Sequence, residues 1–245
     1  MKGGYIVADQ MIFKRHEVKY KITTEQLALI KEEFEKHMIA DEHGESTICS
    51  LYFDTPSFQL IRRSIEHPVY KEKLRLRSYG VANADTKVFV ELKKKYKKVV
   101  YKRRVTLREQ DAMRYLLTGE IDKRTQITDE IDYFKQFYPG IAPAMLLMYK
   151  REAYYAKDDR EFRVTFDRDV LWRDYDLTLD KGIYGTPVLE PNQILMEVKT
   201  KDAIPLWMTK ILSDNHIYKT SFSKYGTAYQ TKLRKQMKEG KLNYA

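Results

Sequence analysis

The sequence predicts an α+β fold built on a closed antiparallel β-barrel, a tunnel of about eight strands with helices packed outside it. Three observations point there. Seven segments alternate with period two, so that each strand carries one apolar and one charged face. Helical segments with apolar spacing lie between and after them, ready to cover the apolar faces. No linker, internal repeat or composition break divides the 245 residues, so one domain spans 1–245, with its core at about 12–230. Long antiparallel strands must hide their edges, and closure into a barrel does this completely.

Residues 12–21 alternate and read as a strand. Thr23 or Thr24 caps a helix whose Leu27, Ile30, Phe34 and Met38 share a face, and residues 41–45 form a loop. Residues 46–54 (STICSLYFD) make an apolar strand, and Thr55-Pro56 starts a short helix over 56–64. Strands follow at 69–79, 86–95 and 98–107, the first two joined by a polar loop from Gly80 to Asp85 and the last two by a hairpin at Tyr96-Lys97. Helices at 108–118 and 126–138 are stopped by Gly119 and by Pro139-Gly140. Further strands are expected at 144–157, 160–168, 171–179 and 192–200, with a turn at Asp158-Asp159, before closing helices at 203–214 and 224–238.

Lys and Arg number 45 against 35 acidic residues, a net charge of +10 that points to polyanionic partners. Cys49 is the single cysteine, so no internal disulfide forms. Its setting is a buried strand, and a reducing, cytoplasmic location is expected. No apolar run approaches the ~18 residues of a membrane span, the N-terminus lacks the apolar stretch of a signal peptide, and Met11 offers an alternative start. The five histidines show no zinc-ligand spacing. RNP, zinc-finger and KH motifs are missing, so no nucleic-acid partner is expected. Neither an oligomeric state nor a membrane partner can be read from the residues.

The charged faces hold the functional signal. Arg15, Glu17 and Lys19 share one, as do Lys73, Arg75 and Arg77 on the next such strand. Glu91 with Lys93, Lys102 with Arg104, Tyr149 with Arg151, Arg163 with Thr165 and Asp167, and Glu197 with Lys199 continue the pattern. Any one such strand is ordinarily a solvated face. Seven of them, rich in Arg and backed by helices on the apolar side, point to a basic lumen. Crowded like charges repel in a low dielectric, and a bound polyanion relieves them. The planar fork of Arg suits phosphate oxygens. Glu17 and Glu197 are candidate ligands for Mg²⁺ or Mn²⁺, hard cations that bridge phosphates, with simple ion pairing as the alternative for each.

The motif Arg15-His16-Glu17-Val18-Lys19-Tyr20 resembles the opening strand of the triphosphate tunnel metalloenzymes, most closely the polyphosphate polymerase domain of the vacuolar transporter chaperone (VTC) family. SLYFDT (50–55), KLRLRSYG (73–80), FVELKKK (89–95), YKRR (101–104), YKREAY (149–154), RVTFD (163–167), LMEVKT (195–200) and SFSKY (221–225) extend the resemblance over about 12–230. It implies transfer of the γ-phosphoryl group of ATP to polyphosphate with Mn²⁺ or Mg²⁺. ATP, polyphosphate and pyrophosphate are then the partners of a stand-alone, soluble, bacterial-type version. It makes Arg75, Arg77, Lys93, Arg151 and Arg163 the catalytic phosphate ligands, supported by Lys19, Lys102 and Lys224. Tyr149 is a hydroxyl partner and Glu197 the metal ligand. Lys73, Arg104 and Lys199 join them as phosphate ligands on the same charged faces.

Two positions depart from the pattern: Arg15 stands where the wider superfamily has an acid, and Ser221 where this branch often has a second Lys. Phosphoryl transfer relies on positioning and charge neutralisation, so the lack of a nucleophilic triad is no obstacle. A triphosphatase using water as acceptor, and a polyanion-binding protein without turnover, are the alternatives.

Overall fold

The computed structural model describes residues 7–13, 16–97 and 99–240. Among them twelve strands form one antiparallel sheet, accompanied by six helices. The strands are β1 (Val7–Phe13), β2 (His16–Thr23), β3 (Met38–Ala40), β4 (Ser46–Asp54), β5 (Tyr70–Tyr79), β6 (Lys87–Tyr96), β7 (Val99–Arg108), β8 (Ala142–Ala156), β9 (Arg163–Arg173), β10 (Thr186–Pro187), β11 (Gln193–Thr200) and β12 (Lys219–Thr220). The helices are α1 (Thr24–His37), α2 (Gln59–Ile65), α3 (Glu109–Thr118), α4 (Gln126–Phe137), α5 (Leu206–Asp214) and α6 (Lys224–Lys238).

The sheet order is β1-β7-β6-β5-β4-β8-β9-β11-β2-β12, with β10 on β9 and β3 on β8. Side chains from eight of these strands converge on one cavity, which gives the sheet its tunnel form. The expectation of a fully closed barrel needs correction. The end strands β1 and β12 do not pair among the described residues, so hydrogen bonds do not close the ring. The reason lies in the chain after β12. That strand lasts two residues before the backbone turns into α6 at Ser223, where side chains from β2 and β5 meet the turn. Lys19 Nζ donates to the Phe222 carbonyl at 3.0 Å, and Lys73 Nζ to Ser223 Oγ at 3.4 Å.

The apolar faces turn outward onto helices. Leu74, Leu76, Val88, Val90, Leu92 and Val105 pack with Tyr115 of α3 and with Ile131 and Phe134 of α4. On the other side Ile22, Val164, Phe166, Met196 and Val198 pack with Ile30 and Phe34 of α1 and Met208 of α5. Each such side chain contributes about 1.5–3 kcal/mol when fully buried, and this outward burial leaves the charged faces no place but the lumen. Thr23 caps α1 through a capping box with Gln26. Gly119, at φ 84°, ends α3 in a left-handed conformation that other residues rarely adopt.

Local differences from the expected elements have identifiable causes. The strand expected at 12–21 is divided between β1 and β2, and Arg15 and Lys98 lie outside the described residues. The α2 helix begins at Gln59 instead of Pro56, because Pro56-Ser57 form a turn and Phe58 takes φ 56°. The separate strands expected at 160–168 and 171–179 are one strand, β9, which continues through a left-handed Asp169 (φ 51°) opposite a register shift in β8. No helix among the described residues is long and apolar enough to cross a membrane.

Candidate phosphate-binding lumen

The cavity enclosed by the sheet has a volume of about 540 Å³, within the range of small-molecule sites. Lys19, Lys73, Arg75, Arg77, Lys93, Lys102, Arg104, Tyr149, Arg151, Arg163, Lys199, Lys224, Glu17 and Glu197, the full set expected from the sequence, all line it. Eleven basic side chains face four acidic ones, Glu17, Asp41, Glu91 and Glu197. Arg163 and Glu17 are the exposed members of the predicted set, and Arg163 Nε donates to the Arg160 carbonyl at 3.3 Å.

Cross-strand register builds the basic wall. Lys73, Lys93 and Lys102 stand abreast on β5, β6 and β7, and the next inward layer is Arg75, Glu91 and Arg104. Glu91, 1% exposed, is the hub: Arg75 Nε donates to it at 2.7 Å, Lys102 Nζ lies at 2.8 Å and Arg104 Nε at 2.9 Å. Burial alone would raise its carboxyl, but Arg75, Arg77 and Lys102 hold it well below the usual carboxylate range. Arg75 Nη1 also donates to Tyr52 Oη at 3.2 Å, and Arg77 Nη2 to Tyr149 Oη at 3.5 Å. Lys93 makes no hydrogen bond or ion pair with another described residue.

The opposite wall mixes signs. Arg151 grips Asp167 of β9 in a two-pronged bond of 2.5 and 2.6 Å and reaches Glu197 at 3.2 Å. Lys224, the first residue of α6, bonds Glu197 at 2.9 Å and also pairs with Asp167. Its ammonium is raised above its ordinary value: burial lowers it, and Glu197 and Asp167 more than compensate. Lys19 Nζ lies 3.4 Å from Glu17 and 3.5 Å from Glu197, bridging the two carboxylates. Burial would raise Glu17, but Lys93, Lys19 and Lys199 outweigh it and bring the group to about 2.

Burial in the lumen shows in three lysines. Lys73, Lys102 and Lys199 are each pushed down to about 8. Burial is the largest cause in every case, and neighbouring cations add to it: Lys93 and Lys19 for Lys73, Arg104 and Arg75 for Lys102, Arg151 and Lys93 for Lys199. Tyr52 is also lowered to about 8, because Arg75, Lys73 and Arg77 overcome the burial that would raise it.

Glu17 and Glu197 supply hard oxygen donors on one side of the lumen, and a lysine ammonium already bridges them at the distances above. That donor chemistry fits Mg²⁺ or Mn²⁺ held by one or two carboxylates, with substrate phosphates completing the shell. A self-sufficient cage is not present: no group of three His, Cys, Asp or Glu side chains is placed to hold a metal among the described residues.

Sequence reasoning gave no site role to Glu91, Asp167, Tyr52 or Ser223. Period two placed Glu91 and Asp167 on charged faces, but only the register shows which arginines each one holds. Tyr52 sat inside an apolar-looking strand whose two faces are both covered. It stacks at 4.5 Å on Tyr225, whose hydroxyl donates to the buried Asp54, and Asp54 also accepts from the Leu60 and Ile61 amides of α2. This chain of contacts fixes the start of α6 and therefore Lys224.

No curated protein matches the chain. Among solved structures, a Bacillus halodurans protein described provisionally as an adenylate cyclase is 15% identical. The match covers 86% of this chain and 96% of that one, with a TM-score of 0.54, a likeness of fold. A Hippeastrum protein, described provisionally as an adenylyl cyclase with a dominant triphosphatase activity, is 13% identical over 93% of this chain and 98% of that one, with a TM-score of 0.49. The Mimivirus capping enzyme triphosphatase is 12% identical over 82% and 88%, with a TM-score of 0.34. The family model of the VTC domain matches residues 14–233, nearly the whole lumen-forming chain. The chain belongs to the VTC domain family.

Proposed function

We propose that the lumen binds the triphosphate end of ATP and the end of a polyphosphate chain, and that the protein transfers the γ-phosphoryl group from the first to the second with Mn²⁺ or Mg²⁺. The observation that carries this reading is the charge imbalance of the lumen lining, eleven basic against four acidic side chains. An anion of several charges would relieve it. Arg75, Arg77, Lys93, Lys102 and Arg104 form the wall that holds phosphate oxygens in place. Arg151, Lys199 and Lys224 neutralise charge from the facing side, and Arg163 meets the anion at the rim. Glu197 and Glu17 would hold the metal, which would supply positive charge to offset that of the phosphates.

The state of the carboxylates favours a phosphate acceptor over water. Glu91 and Glu197 are held far below the usual carboxylate range and are poor proton acceptors. The terminal oxygen of a polyphosphate is already an anion and needs no base. Hydrolysis is the second reading, and one observation favours it: Tyr52, lowered to about 8, is a group in the lumen able to take a proton from water near neutral pH. Incubation with ATP and Mn²⁺, with the products separated into long-chain polyphosphate and free phosphate, distinguishes them. Long chains are expected. Free phosphate alone, matching the ADP formed, would establish the hydrolase.

A further inference from the structure

The buried hydroxyls at the lumen have partners among the described residues, with one exception. Ser50 Oγ accepts from Arg77 Nε at 3.3 Å, Tyr52 from Arg75, Tyr149 from Arg77, and Ser223 Oγ from Lys73 and from the Gly226 amide at 3.1 Å. Ser46 Oγ donates to the Arg151 carbonyl at 3.5 Å. Thr165 is different. It lines the cavity at 7% exposure, and its Oγ1 is buried without a hydrogen-bond partner among the described residues. The other buried side-chain atoms without a partner belong to Arg103, Trp172 and Arg173, which do not line the lumen.

The position is a specific one. Thr165 stands on β9 between the inward-facing Arg163 and Asp167, and its register partners are Ala153 on β8 and Glu197 on β11. Thr165 and Ala153 are small side chains in a lining otherwise dominated by long ones, and they flank Glu197 and Arg151 on the neighbouring strands. A valine of the same shape would fill the site without the penalty of an unmatched buried hydroxyl. A hydroxyl also adds a donor without adding charge. Next to Glu197, a further cation would be drawn to the carboxylate.

We propose that Thr165 is a substrate-contact residue whose hydroxyl donates a hydrogen bond to a phosphate oxygen of the anion seated beside Ala153 and Glu197. This assignment rests on the polyphosphate-binding reading above. Thr165 then fixes where along the wall the phosphates settle, while the surrounding arginines supply most of the attraction.

The test compares wild type, Thr165→Val and Thr165→Ser, without metal, by thermal melting and by calorimetric titration with inorganic tripolyphosphate. Wild type binds, and Thr165→Val melts at or above the wild-type temperature yet binds on the order of ten-fold more weakly. Thr165→Ser stays close to wild type in affinity. Equal affinity of the Val variant and wild type overturns the assignment. A Val variant that melts lower, or does not fold, also overturns it, because the hydroxyl then has a structural partner in the free protein. If wild type shows no binding, the polyphosphate reading itself fails and Thr165 falls with it.

Discussion

Anion binding in this lumen should take up protons, and the sign and size follow from three lysines. Lys73, Lys102 and Lys199 titrate at about 8 in the free protein, depressed first by burial and then by neighbouring cations. A polyphosphate replaces repulsion with attraction and returns each toward its ordinary value near 10.5. Below pH 7 these lysines are already charged, so binding takes up few protons. Near pH 8 each is half charged, and binding takes up about half a proton per restored lysine, about 1.5 from the three lysines. Affinity is fully present below pH 7 and falls as pH rises through 8, by about ten-fold per restored lysine between pH 7 and 9. Calorimetry with tripolyphosphate in buffers of different ionisation enthalpy reads the uptake directly. Lys199→Met serves as the control for the titration of the ligand itself and should remove about half a proton at pH 8. An uptake that is the same in the variant and wild type would refute the reasoning, since it would place Lys199 outside the anion's field.

Other outcomes are expected of single substitutions. Arg75→Ala or Arg77→Ala should weaken tripolyphosphate binding by on the order of 1.5–3 kcal/mol, read by calorimetry, and unchanged affinity in both would show that these forks do not meet the anion. Glu197→Gln keeps the size of the side chain and loses the anionic oxygen that hard cations prefer. It should abolish metal-dependent turnover while retaining metal-free binding, and an unaltered Mn²⁺ dependence would leave Glu197 as an ion-pair partner only. Asp167→Asn frees both Arg151 and Lys224 from a fully buried carboxylate. It should lower stability by about 3 kcal/mol, seen as a lower denaturant midpoint that tripolyphosphate partly restores. Phe134→Ala empties a site between α4 and the outer face of the sheet, costing about 3–5 kcal/mol of stability with metal-free binding preserved at low temperature.

The lumen was legible because period two is a strong constraint. Once Leu74 and Leu76 must meet a helix, Lys73, Arg75 and Arg77 can only point the other way, and the same logic aims Lys102, Arg104, Glu197 and Lys199. The resemblance of RHEVKY, KLRLRSYG and LMEVKT to a known tunnel family added candidate roles but no register. Which carboxylate holds which cation depends on strands far apart in sequence: the Glu91 hub needs the β5–β6–β7 alignment, and the fork of Arg151 on Asp167 needs the β8–β9 alignment with its bulge. The seam was illegible for a related reason. Whether the ring closes by hydrogen bonds is decided by how soon the chain leaves β12 for α6, and Lys219-Thr220 carries no alternation to read. Tyr52 was hidden because a strand covered on both faces loses its period.

The most direct test of the central claim is a crystal structure of the protein with tripolyphosphate. Phosphate density is predicted inside the lumen, with oxygens in hydrogen-bond reach of Arg75, Arg77 and Lys93 on one wall and of Lys224 or Lys199 on the other. Phosphate bound only on the outer surface, with the Glu91 and Glu197 ion pairs undisturbed, would contradict it.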